Sequence, residues 1–138
     1  MEDVKIKLAA TWIAAMFCYI YGDIFGFYVP GHIEKIIAGD MPIGSPITLL
    51  AAAILMSIPG LMVVLSVTLQ HKTNRLANII MAIFHIVVVI VAIFIPPVSF
   101  DIYFIYLTIV EVGFNTMTIW YAWKWSTQEG SEIKKNQV

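Results

Sequence analysis

Glu111 and Asn115 stand four residues apart inside "IYLTIVEVGFNTMTIWYAWKW" (residues 105–125), a run otherwise made almost wholly of apolar side chains. At the 3–4 spacing of packed helices, Asp101, Phe104, Thr108, Glu111, Asn115, Thr118 and Ala122 fall on one seam. A carboxyl flanked by a hydroxyl and an amide in apolar surroundings can take up and release a proton, or serve as a hydrogen-bonding group between helices. His85, in "MAIFHIVVVI" (residues 81–90), is a second candidate. Imidazole exchanges protons near neutral pH and can both accept and donate a hydrogen bond. Asn78, Ala82, His85 and Ala92 share its helical face. Asp23, in "YIYGDIFG" (residues 19–26), is the third. In the site reading, Glu111 exchanges a proton, His85 relays or holds it, Asn115 and Thr108 orient the carboxyl, and Asp23 guards an opening. In the bland reading, Asp23 is an interfacial residue capped by Tyr19, Tyr21 or a nearby loop.

These residues must be positioned by membrane helices. The chain of 138 residues is 60% hydrophobic and 12% charged, against about 25% charged in average soluble domains. A bilayer core about 30 Å thick takes roughly 20 apolar residues as a helix. Residues 8–28, 47–69, 76–95 and 102–123 qualify, which predicts an all-α antiparallel bundle of four transmembrane helices forming a single integral membrane domain over residues 1–138. Strands in lipid would need a closed barrel and period-2 alternation, which the sequence lacks. Residues 126–138 read as a polar cytoplasmic tail, and the first apolar run as a retained span rather than a removed signal peptide. In the long connection, Ile33, Ile36, Ile37 and Gly39 predict a short interfacial helix between the first two spans that could cover the mouth of the bundle.

Lys5, Lys7, Lys72, Arg75, Lys124, Lys134 and Lys135 all fall on one side if the spans alternate, and only Lys35 falls on the other. Basic residues stay on the cytoplasmic side. The expectation is therefore a multi-pass protein of the cell's inner (plasma) membrane with both termini cytoplasmic, and "WYAWKW" (residues 120–125) as an aromatic anchor at the inner interface.

Counting residues along alternating helices puts His85 and Glu111 within roughly one helical turn of the same depth, at about 1.5 Å per residue. A direct or water-bridged contact between them is predicted, because burial demands a partner for each. Pro59, in "SIPG" (residues 57–60), sits at a matching depth and predicts a kink or a freed carbonyl beside them. Gly22 and Gly26 form a GxxxG pair that permits close helix approach.

Other chemistries are disfavoured. A net charge of −1 offers no basic face for nucleic acid. A single cysteine, Cys18, allows neither an internal disulfide nor a CxxC site and reads as a small apolar packing residue. The methionines spread over the spans read as core filler, so no metal site, cofactor or catalytic residue is assigned.

The segments "YIYGDIFGFYVPG" (residues 19–31), "IEKIIAG" (33–39), "IPGLMVVLSVTL" (58–69), "NRLANII" (74–80) and "WYAWKW" span nearly the whole chain. Together they resemble a domain-of-unknown-function family of small four-helix bacterial and archaeal integral membrane proteins. That resemblance implies the bundle and carries no assigned activity or site residues. In layout alone, the chain is also similar to the DoxX-like proteins and to the sterol-isomerase and sigma-receptor group, whose motifs it does not match.

Three functions remain. The first is binding or transport of a small apolar or protonatable ligand, or a proton, at a midplane Glu111/His85 site. A transporter of this size would need a second copy of the chain beside it in the bilayer. The second is a structural or partner-binding membrane protein in which Glu111 and His85 are interhelical glue, at about 0.6–2 kcal/mol per bond. An isomerase of an apolar ligand stands behind both. It needs an enclosed cavity of roughly 300 Å³, and no Walker, HExxH, GxSxG or GxGxxG pattern raises it.

Overall fold

A computed structural model describes the backbone of residues 2–40, 45–94 and 101–135, with side chains over 3–40, 45–94 and 101–125. The described chain is all helix: α1 (Glu2–Phe27), α2 (His32–Ala38), α3 (Pro46–Thr68), α4 (His71–Ala92) and α5 (Ile102–Lys135). α1, α3, α4 and the first part of α5 are the four helices long and apolar enough to cross a membrane. They form the expected four-helix bundle.

Local chemistry sets the helix ends. Ser45 caps α3 by accepting the Thr48 N–H at 3.2 Å, and Pro46 occupies the first turn, where its missing N–H costs nothing. α2 lies between Gly31 and Gly39, both at positive φ (79° and 76°), a conformation glycine adopts freely. The short helix anticipated from Ile33, Ile36 and Ile37 is therefore present. α4 begins at His71 rather than Leu76. A span chosen by hydropathy stops at the polar "HKTNR" segment, but the Asn74 N–H already bonds to the Gln70 carbonyl at 2.8 Å and continues the helix. α5 likewise runs on to Lys135, past the end of its apolar stretch. Pro59 is buried within α3, which continues through it. Pro42, Pro96 and Pro97 lie outside the described residues.

α1 is the central helix, packed against α5 and α3, and α4 closes the bundle against α5. On α1 the buried stripe runs Leu8, Trp12, Ala15, Cys18, Gly22 and Gly26. The glycine pair faces α5: a Cβ on Gly22 would lie 3.8 Å from Leu107 Cδ1, and one on Gly26 would lie 3.5 Å from Tyr103 Oη. On α4 the buried residues are Asn74, Asn78, Ala82, His85 and Val89. Val89 takes the place expected of Ala92, which is half-buried.

The outer surface carries Phe17, Ile20, Leu61, Val64, Ile83, Val87, Ile109 and Trp120, all exposed. A water-soluble monomer does not present an apolar belt of this extent. The belt and the four spans are compatible with a multi-pass membrane protein. The ends of the bundle differ in charge. Leu8, Ala122 and Trp125 pack together with Val4, Ile79 and Tyr121, and Lys5 donates to the Val67 carbonyl at 3.3 Å. That end therefore gathers Lys5, Lys7, Lys72, Arg75 and Lys124. The opposite end, where Phe25 meets Tyr103 with ring centroids 6.2 Å apart, holds Asp23 and Asp101.

Candidate functional site

Polar side chains run through the bundle as a buried column with two distinct layers. The layer nearer the basic end is saturated with hydrogen bonds. An indole N–H can only donate, so the Trp12 Nε1–H fixes the Asn78 amide with its oxygen facing α1, at 2.7 Å. The Ser66 hydroxyl donates to the same oxygen at 3.0 Å. The Asn78 NH₂ donates to the Asn74 carbonyl at 2.9 Å and to Asn74 Oδ1 at 2.7 Å. Asn74 in turn donates to the Ser66 carbonyl at 2.7 Å and the Leu69 carbonyl at 3.3 Å. Asn78 thus uses both of its N–H groups and accepts twice at its oxygen, tying α1, α3 and α4 together. Between α5 and α1, Thr118 donates to Thr11 Oγ1 at 2.7 Å, and Thr11 donates to the Leu8 carbonyl at 2.9 Å.

The second layer lies deeper, around Glu111. Of the α5 seam, Thr108, Glu111, Asn115, Thr118 and Ala122 are buried, Glu111 at 3% exposure, while Asp101 and Phe104 nearer the helix start are half-buried. His85 on α4 is fully buried, with its ring edge-on to Trp12 (centroids 5.7 Å apart) and to Tyr19 (5.5 Å). Its bond goes to Tyr19 rather than to Glu111: the Tyr19 hydroxyl lies 2.5 Å from His85 Nδ1. The Glu111 carboxyl shares the electrostatic surroundings of that hydroxyl. The partner the structure gives His85 is thus a tyrosine on a third helix, and the expected contact with Glu111 is not among the described hydrogen bonds.

Unlike the saturated layer, this one has open valences. His85 Nε2, Glu111 Oε1, Thr108 Oγ1 and Asn115 Oδ1 are buried and bond to no protein atom. Asn115 spends its amide on the Glu111 main-chain carbonyl at 3.1 Å, which orients the backbone at the acid and leaves Oδ1 free. Buried polar atoms are nearly always paired, and Arg75 Nε and Trp125 Nε1 at the basic end share this condition with the atoms beside the acid. Asp23 is exposed near the acidic end. With Asp101 it shares the electrostatic surroundings of the Tyr103 hydroxyl, and no described hydrogen bond links it to this layer. Among the described residues, no group of three or more His, Cys, Asp or Glu side chains is arranged to hold a metal ion.

Tyr19, Trp12, Ser66 and Asn74 were not picked out by sequence reasoning as members of the column. The signal for the first two is the heptad-like run Leu8, Trp12, Ala15, Tyr19, Gly22 and Gly26 on α1. It places an indole and a phenol among small residues on the inward face. A family model described as "Family of unknown function (DUF6326)" matches residues 1–131 of the chain. No curated protein and no solved structure matches it.

Proposed function

The chain belongs to a family of unknown function (DUF6326), and we propose that it holds an exchangeable proton inside the membrane on a three-residue relay, His85–Tyr19–Glu111. The observation that carries this reading is the Tyr19 hydroxyl bonded to His85 Nδ1 inside the bundle, with the buried Glu111 carboxyl in the electrostatic surroundings of the same hydroxyl. In the receiving state Glu111 is ionised, Tyr19 donates to it, and His85 Nδ1–H donates to the Tyr19 oxygen. A proton arriving at Nε2 displaces the Nδ1 proton onto the Tyr19 oxygen, and the original phenolic proton passes to the carboxylate. One proton enters at His85, one is gained at Glu111, and Tyr19 ends neutral with its O–H turned toward Nδ1. Loss of the proton from Glu111 Oε1 and the return of the His85 tautomer reset the relay. Thr108 and Asn115 offer Oγ1 and Oδ1 next to the acid as partners for incoming or leaving donors.

The glue reading is favoured for the other layer. Asn78, Asn74, Ser66, Trp12, Thr11 and Thr118 bond to one another across helices and have the character of structural fasteners. Nothing about bonding alone calls for a buried carboxyl, whose net gain from such bonds is small. Intramembrane ionisable groups are costly and mark function by default. In orientation, the basic end belongs on the cytoplasmic side, so both termini face the cytoplasm of a cell whose inner (plasma) membrane holds the protein. Passage of the proton from one side to the other, or of a small protonatable ligand with it, would call for a second copy to complete the path.

Infrared difference spectra between acid and alkaline pH test the relay. Wild type should show a titrating carboxyl band that is absent in Glu111→Gln and shifted in Tyr19→Phe. A wild-type spectrum with no titrating carboxyl in a membrane-reconstituted sample would end this reading.

A further inference from the structure

At the basic end, away from the polar column, α5 carries a groove of about 210 Å³ lined by Thr116, Met117, Trp120 and Tyr121. We propose that this groove binds one acyl chain of an anionic phospholipid, whose phosphate sits between Lys124 and Lys7. Two ammonium groups from different helices overhang its rim. Lys124 Nζ lies 4.9 Å from the Trp120 ring centroid, and Lys7 Nζ lies 5.8 Å from that of Tyr121. Cation–π contact holds each lysine over an aromatic face while leaving N–H groups for a headgroup.

The vertical arrangement matches a lipid. Lys5 bonds to the carbonyl of Val67 near the end of α3, so the lysines stand at the level where the helices leave the apolar layer. Thr116 lies about 12 Å deeper along α5, at about 1.5 Å per residue, where acyl chains run. Trp120 is 59% exposed and Met117 is 42% exposed, so the groove opens sideways toward the bilayer. Charge at this end is mostly of one sign: Lys5, Lys7, Lys72, Arg75 and Lys124, with Asp3 one turn before Lys7 as the opposing carboxylate among the described side chains. Two lysines beside an apolar, aromatic-lined groove favour anionic over zwitterionic headgroups.

The test uses the full chain reconstituted in vesicles of phosphatidylcholine doped with either phosphatidylglycerol or phosphatidylcholine carrying brominated acyl chains. Trp120 quenching is read as the difference between wild type and Trp120→Phe. Brominated phosphatidylglycerol should show an apparent affinity on the order of tenfold higher than its zwitterionic counterpart. The Lys7→Gln/Lys124→Gln variant should lose that preference. Lys72→Gln/Arg75→Gln, which removes the same charge from the same end but away from the groove, should keep it. Helical circular dichroism checks that each variant is folded. Equal quenching by the two brominated lipids in wild type would overturn the proposal. So would an equal loss of preference in both charge pairs, which would show general surface attraction instead of a site.

Discussion

The Tyr19 hydroxyl and His85 Nδ1 lie 2.5 Å apart in the interior of the bundle, and a single proton links them. α1 and α4 are not neighbours in sequence, and both pack against α5, which carries Glu111. The phenol therefore ties α1 to α4 beside the helix that carries the acid. It also sets the His85 tautomer: when Tyr19 donates, Nε2 bears the ring proton, and when Nδ1 donates, Nε2 is bare.

Tyr19→Phe keeps the ring against His85 and removes the hydroxyl. Loss of one buried interhelical bond should lower unfolding stability by about 1–2 kcal/mol. The sharper readout is magnetic resonance of ¹⁵N-labelled histidine. In wild type the His85 tautomer should change together with the Glu111 carboxyl band as pH is varied. In Tyr19→Phe the two should no longer change together. If the two signals stay coupled in Tyr19→Phe, the hydroxyl is not the link.

Asn78 presents the opposite case, because each of its hydrogen-bonding positions is used. Replacing it with Leu strands the Trp12 N–H, the Ser66 hydroxyl and Asn74 Oδ1 together. Such a change should cost about 2–4 kcal/mol, several times the cost of an isolated interhelical bond. Thr118→Ala, which removes one bond to Thr11, should cost about 1 kcal/mol. Reversible unfolding in mixed detergent micelles would rank the two. Equal costs would show that the Asn78 network does not act as a unit.

The α5 seam was legible because it is sparse: a few polar residues in an apolar helix can share a face in only one way, and Thr108, Glu111, Asn115 and Thr118 are all buried there. Asn78 and His85 were legible on α4 for the same reason. Tyr19 and Trp12 were not, because tyrosine and tryptophan near a span read equally well as interfacial anchors. Only their heptad spacing with Ala15 and Gly22 separates the two uses. The apolar spans are shorter than the helices that contain them wherever polar residues continue a helix, as from His71 to Leu76 and beyond Trp125. The depth estimate that paired His85 with Glu111 placed both near one level. It could not reveal a side chain from α1 reaching between them, because counting rise along two helices carries no information about a third.

The orientation proposal is checked with cysteine chemistry. Cys18 is the single native cysteine and is buried, so Cys18→Ser gives a background free of thiols. Cysteines introduced at Lys72 and at Ile37, both exposed, probe opposite ends of the bundle. In sealed right-side-out vesicles an impermeant maleimide should label Ile37→Cys at once, and Lys72→Cys only after the membrane is opened. The reverse pattern would invert the assignment, and with it the side on which the lipid groove lies.

Glu111→Leu separates a site from a fastener. The carboxyl is buried at 3% exposure and its Oε1 bonds to no protein atom, so in the relay Tyr19 offsets only part of its desolvation cost. An apolar side chain of similar size removes that cost and loses little bonding in return. Removing a buried carboxyl removes the cost of taking it out of water, and stability gained at the expense of activity is characteristic of functional sites. The expected outcome is therefore a variant that melts at or above the wild-type temperature in the same micelles, while the titrating carboxyl band disappears. Asn78→Leu, at a position where every bond is made, should melt well below it. Were Glu111→Leu to lose as much stability as Asn78→Leu, the acid would be one more fastener in the column, and the proton relay would have no separate reason to exist.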